Sequence, residues 1–259
     1  MKALVFAAGL GTRLKPWTDY HPKALAPVGG EPILGRVIQK IIRCGISDIV
    51  VNVHHFAGQI AEYLNENNNF GVNISLSDER NMLLDTGGGL LNAKSMLHGD
   101  ENILIHNADI LTDFNLLRMA ESCQTDTMAT LLVKQRDTQR YLAFDHSRRM
   151  RGWTNIATGQ IRPSDNSQEI ARCALRAFGG VHIVTPEIFS ALAEYNASLL
   201  GLDPCRDTLN GVCRFSIIDF YVNNCNRYKF TAYEPTDPYR WIDIGKIENL
   251  REANNLPVD

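Results

Sequence analysis

The chain has 259 residues, which suits one large α/β domain, and 44% of them are hydrophobic, enough for a sizeable core. Lys+Arg total 26 and Asp+Glu 29, a net charge of −3 with no block of like charge, which excludes the usual basic surfaces for nucleic acid or anionic membrane. The six cysteines (Cys44, Cys123, Cys173, Cys205, Cys213, Cys225) make no CxxC pair, so no zinc site is expected; with no signal peptide and no stretch of ~20 apolar residues, the expectation is a cytoplasmic protein with free thiols.

The apolar run Lys2 to Ala8 reads as a buried strand, and Gly9 to Thr18 (GLGTRLKPWT) as the loop after it. Such a loop can turn successive backbone N–H groups onto a phosphate. Gly9 and Gly11 permit unusual dihedrals, Thr12 adds a hydroxyl, Arg13 a planar fork, and Lys23 a second cation. The competing reading is a turn whose glycines serve geometry alone. Pro32 to Cys44 has a helical apolar period with Gly45 as its stop, and Asp48 to Val53 is a β-branched run read as a buried parallel strand. A helix over Gly58 to Asn65 and a strand over Gly71 to Ser77 continue the alternation, which predicts βαβ units around a parallel sheet. Ligands of such sheets sit at the carboxyl ends of the strands, where the opening loop lies.

Leu84 to Leu90 (LDTGGGL) reads as a second glycine loop before a helix over Leu90 to Leu97, either a bare backbone for a base or ribose or a plain turn. Asn102 to His106 is a strand, and Asp109 follows it, as a metal-binding carboxylate or a turn cap. A helix over Phe114 to Cys123 and a strand over Met128 to Val133 come next, then a hairpin over Tyr141 to Trp153 and a polar loop from Asn155 to Gln168. Ala171 to Val184 reads as a long strand broken at Gly179-Gly180, where Gly180 is a ligand contact or a β-bulge. Helices are expected over Thr185 to Tyr195 and Ser216 to Cys225, with Asp219 and Tyr221 facing a cleft or, by default, placed at the surface or in the core. A strand over Tyr228 to Tyr233 precedes Arg240 to Gly245 (RWIDIG) and a last helix over Lys246 to Asn254, for which Asp243 is a plausible N-cap.

AAGLGTRLKPWT (Ala7 to Thr18) with PKALAPV (Pro22 to Val28) resembles the nucleotidyltransferases that join sugar 1-phosphates to nucleoside triphosphates, with AxGxGTRLxPxT followed by PKxLxPV. The resemblance runs from Met1 to Asn254 and implies a three-layer α/β/α fold of the nucleotide-diphospho-sugar transferase (Rossmann-like) kind, with a mainly parallel mixed sheet. It implies one catalytic domain over 1–259, without an added β-helix domain, and a small β-rich sugar-binding insert at about 135–181. The implied reaction is NTP plus sugar 1-phosphate giving NDP-sugar and pyrophosphate, with UTP and N-acetylmuramate 1-phosphate as one pair, suggested by the DTGGG segment. GTP with mannose 1-phosphate or heptose 1-phosphate is the alternative.

By the same resemblance Ala8, Gly9, Gly11, Thr12, Arg13, Lys23 and Gly87 bind nucleotide, Arg13 and Lys23 are catalytic, and Asp109 and Asp243 hold Mg²⁺. Asn155 and Gly180 are the sugar-side candidates. The chain departs from the family in having Ala108 where glycine is usual, Lys246 where threonine is usual, and no Glu-Lys-Pro; Arg151 and Arg162 occupy that region. The implied partners are an NTP and a sugar 1-phosphate, not nucleic acid or membrane, in a monomer or small homo-oligomer. A phosphocholine-type cytidylyltransferase and a non-catalytic nucleotide-sugar sensor are the other classes that fit, the sensor disfavoured because all four of Arg13, Lys23, Asp109 and Asp243 are present.

Overall fold

The computed structural model describes residues 1–202 and 211–255; Cys205 lies outside the described residues. In chain order the first elements are β1 (Lys2–Phe6), β2 (Pro27–Val28), β3 (Glu31–Pro32), α1 (Ile33–Arg43), β4 (Asp48–Val53), α2 (Ala57–Glu66), β5 (Asn73–Asp78), α3 (Asp85–Asn92), β6 (Ile103–Asn107), β7 (Ile110–Thr112) and α4 (Leu116–Glu121). There follow β8 (Ala129–Lys134), β9 (Arg140–Phe144), β10 (Met150–Asn155), β11 (Gln160–Arg162), α5 (Ser167–Ile170), β12 (Ala174–Val184), α6 (Ile188–Leu199), α7 (Ile217–Asn224), β13 (Phe230–Tyr233), β14 (Trp241–Asp243) and α8 (Ile247–Asn255).

The chain divides into two compact units. The first comprises Met1–Leu83, Asn92–Leu116 and the stretch from Asp237 onward. Its β5, β4, β1 and β6 lie side by side, all parallel, with Val5 opposite Val51 on one flank and His106 on the other. The apolar stripe of α1 (Ile33, Leu34, Val37, Ile38, Ile41) is buried, as its helical period predicts. The chain moves outward from β1 to β4 to β5, then returns to the opposite side of β1 with β6. That reversal makes the carboxyl ends of β1 and β6 the switch point where a ligand crevice opens in α/β sheets. The residues that follow those two strands are the opening loop and Asp109.

The second unit comprises Leu84–Leu91 and Leu117–Thr236. There β8 runs antiparallel to β12 and parallel to β13, while β9 pairs with the first half of β12 and begins an antiparallel β9-β10-β11 series. Its core is aromatic: Phe220 lies 5.6 Å from Tyr195 and 6.0 Å from Phe230, centroid to centroid, in tilted or edge-on geometry. Three expectations need correction. LDTGGGL is not a loop, because its glycines form the body of α3, which ends at Asn92 instead of Leu97. The expected loop from Asn155 to Gln168 contains β11, whose Arg162 pairs with Trp153, and α5. The cleft-facing alternative for Tyr221 fails, since it is wholly buried with its hydroxyl 2.7 Å from His182 Nδ1.

Candidate active site

The loop after β1 is folded tightly over Lys23. Gly11 sits at φ +62°, and a Cβ there would fall 2.8 Å from both Lys23 Cβ and Thr18 Cγ2, so the position needs glycine for dihedral and for space. The Gly11 carbonyl accepts from the Thr18 hydroxyl at 2.9 Å and from the Leu14 amide at 2.8 Å, closing a single helical turn over Thr12–Leu14. Gly9, Thr12 and Arg13 are exposed on this turn. Ala8 differs from its neighbours: its amide, like that of Ala7, is buried and donates to Asn52 Oδ1, at 3.2 Å and 2.6 Å respectively.

Across the switch point, the Lys23 ammonium forms an ion pair with the Asp109 carboxylate. Asp109 stands two residues past the end of β6. Ala108, which replaces glycine, tucks its methyl into the interior and donates its amide to the Phe6 carbonyl at 3.0 Å. Asp243 arrives from the far end of the chain on β14, antiparallel to β7 and opposite Ile110, and the Ile244 amide donates to the Asp109 carbonyl at 2.9 Å. The two aspartates are therefore neighbours through the backbone. Asp243 Oδ1 accepts from the Gly245 amide at 2.8 Å, so it acts in a local turn rather than at the first helical residue of α8. A Cβ on Gly245 would lie 2.5 Å from an Arg13 guanidinium nitrogen and 2.7 Å from Asp243 Oδ1, which puts the guanidinium beside that carboxylate. His106 adds no charge, because complete burial lowers its pKa to about 4.

The donor set fits Mg²⁺. Asp109 and Asp243 are hard oxygen donors brought to one backbone junction, and two carboxylates leave the remaining positions to water and substrate phosphate. Mg²⁺ is held that way in phosphate sites, and Zn²⁺ in a closed structural site is not.

In the second unit the remaining candidates have separate local partners. Gly87 lies in the first turn of α3, where a methyl would collide with the Phe215 ring and stand 3.1 Å from the Ile217 nitrogen. Its amide donates to the Phe215 carbonyl at 2.9 Å, so that N–H is committed within the fold. Asn155 shapes the β10–β11 turn, accepting from Ala157 N at 3.0 Å on its side chain and from Gly159 N at 2.8 Å on its carbonyl. Gly180 takes φ +73° within β12 where the pairing with β8 slips between Phe178 and His182, which is the bulge. Arg151 pairs with Asp145 (2.8 Å) and Glu169 (3.1 Å), and Arg162 with Asp219 (2.8 Å).

Residues 2–151 match the nucleotidyl transferase family. The chain belongs to that family. Along 99% of its length this nucleotidyl transferase is 29% identical to an N-acetylmuramate alpha-1-phosphate uridylyltransferase of Neisseria meningitidis serogroup B, covering 98% of that protein. Over 74% of the chain it is 28% identical to a mannose-1-phosphate guanyltransferase of Kluyveromyces lactis, covering 52% of it. It also superposes on a UDP-glucose pyrophosphorylase solved with UDP-glucose, at a TM-score of 0.70 and 17% identity, covering 98% of this chain and 97% of that one. The last likeness shows the fold, a three-layer α/β/α arrangement with a mainly parallel mixed sheet.

Sequence reading of this nucleotidyl transferase did not single out Asn52, which holds the Ala7 and Ala8 amides, or Gly245, which lies against the Arg13 guanidinium. An asparagine inside the β-branched run DIVVNV was a visible signal for the first, since a polar side chain on a buried strand must find a partner. Gly245 was visible as the glycine of RWIDIG, but its closeness to Arg13 depends on chain ends that meet only in the fold. Among the described residues no helix is long and apolar enough to cross a membrane.

Proposed function

We propose that this nucleotidyl transferase joins UTP to N-acetylmuramate 1-phosphate, yielding the UDP-sugar and pyrophosphate in a Mg²⁺-dependent reaction. The observation that carries the reading is the meeting of Asp109, Asp243, Lys23 and Arg13 at the carboxyl ends of β1 and β6. The choice of substrates is supported by the end-to-end likeness to the uridylyltransferase.

A phosphate oxygen of the sugar attacks the α-phosphorus; the bond from that phosphorus to the β-phosphate bridging oxygen breaks, and pyrophosphate leaves with the electron pair. The nucleophile is already ionised, so no general base is needed; the barrier is repulsion between anions and their alignment. Lys23 neutralises the α-phosphate and the incoming phosphate, and Arg13 holds the β and γ phosphates with its planar fork. Gly9, Gly11 and Thr12 let the loop backbone approach the triphosphate closely. Asp109 and Asp243 would hold Mg²⁺, which when bound draws phosphate oxygens together and offsets their charge. The free thiols at the described cysteines fit a reducing cytoplasm.

A second reading, GTP with mannose 1-phosphate, is favoured by the guanyltransferase likeness. Pyrophosphate release, measured with Mg²⁺ for each of five nucleoside triphosphates against a panel of sugar 1-phosphates and phosphocholine, decides between them. Turnover confined to UTP with N-acetylmuramate 1-phosphate is expected; turnover confined to GTP with mannose 1-phosphate selects the second reading. A panel blank throughout overturns both.

A further inference from the structure

Three parallel strands of the first unit end at the same edge, and a chain of hydrogen bonds joins their ends. At the end of β1, the amides of Ala7 and Ala8 both point at Asn52 Oδ1, at 2.6 Å and 3.2 Å. At the end of β4, Asn52 Nδ2 donates to Glu79 Oε1 at 2.7 Å. Just past β5, Glu79 is itself pinned: its amide donates to the Val53 carbonyl at 2.8 Å, and its carbonyl lies 2.6 Å from His54 Nδ1. Asn52 is 3% exposed and Glu79 2%, so water does not compete for these bonds.

The Asn52 amide has a donor end and an acceptor end, and only one orientation satisfies both neighbours. Glu79 accepts, so the NH₂ must face it; Oδ1 must then face the two loop amides. Glu79 thereby sets the sense of Asn52, and Asn52 sets the course of the chain as it leaves β1 and enters the loop bearing Gly11, Thr12 and Arg13. The geometry points to Asn52, oriented by Glu79, as a positioning residue for the triphosphate-binding loop. This rests on the reading of that loop as the triphosphate site. It touches no reacting atom; it acts by fixing where the following residues stand, and a misplacement of ~1 Å in such a group can cost about 100-fold in rate.

The test uses the full chain and four variants: Asn52→Ala, Glu79→Gln, Glu79→Leu and the Asn52→Ala/Glu79→Leu pair. Three readouts are taken well below the melting temperature: calorimetric affinity for UTP or GTP, KM and kcat for each substrate, and amide exchange of the 7–8 segment without nucleotide. N52A and E79L are expected to expose the Ala7 and Ala8 amides to exchange and to weaken triphosphate affinity about ten-fold or more, leaving KM for the sugar phosphate unchanged. E79Q keeps an acceptor oxygen for Asn52 and is expected within about three-fold of the parent. If Glu79 acts only by orienting Asn52, E79L adds nothing in the N52A background.

Additive losses, equal losses for both substrates, or parent-like triphosphate affinity in N52A overturn the proposal. Should N52A not fold, Asn52→Val, which removes the acceptor and suits a buried strand, takes its place with the same expectations. A parent that binds triphosphate but transfers nothing overturns the reaction and leaves the positioning role to be scored by affinity. A parent that binds no triphosphate overturns both.

Discussion

The amide of Ile244 donates to the carbonyl of Asp109 at 2.9 Å, and Asp243 stands opposite Ile110 in the adjoining strand pair, so two carboxylates from distant parts of the sequence share one backbone junction. Replacing either with alanine would remove half of the proposed two-carboxylate metal site. Turnover of Asp109→Ala or Asp243→Ala is expected to fall about 100-fold or more. Since the pair acts as one unit, the double variant should be little worse than either single one. Pyrophosphate release over a Mg²⁺ titration measures this; two independent, multiplying losses would speak against a shared metal.

Lys23 is the counter-ion of Asp109 and the cation proposed to meet the α-phosphate. Lys23→Ala and Arg13→Ala are each expected to lower turnover about 100-fold or more by withdrawing a fixed donor from developing charge. Near-parental rates in steady-state assays would remove either residue from the mechanism.

Gly245 predicts a loss of activity without a loss of fold. A methyl there would stand 2.5 Å from the Arg13 guanidinium and 2.7 Å from Asp243 Oδ1, so Gly245→Ala pushes a flexible side chain aside rather than a core. Activity should drop at least ten-fold, in keeping with displacement of one oriented donor, while the thermal midpoint moves little. A stable, fully active G245A would show that Arg13 is not held at Gly245 during turnover.

Gly87 predicts the converse. A methyl there would press into the Phe215 ring, and overpacking of this kind costs about 1–3 kcal/mol. The midpoint of Gly87→Ala in urea should fall by the corresponding amount and recover in part when Phe215→Leu is added. Unchanged stability in G87A would mean that Phe215 moves away freely.

Buried histidines set the acid limb of stability. Burial holds His182 to a pKa of about 3 and His106 to about 4, against about 6.5 in an unfolded chain. The unfolded chain therefore takes up protons that the fold refuses between about pH 6.5 and 4, and stability falls as pH drops through that window. At pH 4.5 the His182 share is on the order of 2 kcal/mol. Urea midpoints should be lower at pH 4.5 than at pH 7, and His182→Phe should flatten the slope; an unaltered slope would mean that His182 is protonated inside the fold.

Much of this was legible because it is local. The apolar period of Ile33 to Ile42 and the β-branched run of Asp48 to Val53 each report their own burial, so α1 and β4 came out within a residue or two. The GLGTRL loop and Lys23 lie close in sequence, and the fold brings them together around Gly11. What escaped depends on residues far apart. The three glycines after Asp85 look like a breaker by propensity, yet Phe215 and the Cys213 carbonyl, which a Cβ on Gly88 would meet at 2.6 Å, pack so closely on α3 that only glycine fits. Asn155 to Gln168 reads as loop because β11 is only three residues long and gains its definition from β10. Asn52 passed as one more strand residue because nothing near it in sequence announces Ala7, Ala8 or Glu79.

The discontinuity of the first unit has a consequence for how the protein comes into being. β14, carrying Asp243, pairs with β7 only after the whole of the second unit has been synthesised. A chain still growing on the ribosome has the Gly9–Thr18 loop, Lys23 and Asp109 but not Asp243, the second of the proposed metal carboxylates. Asp109 and Asp243 therefore become neighbours only once the chain has come back from the second unit, so the first unit closes around an excursion of more than a hundred residues, about the length of a small domain.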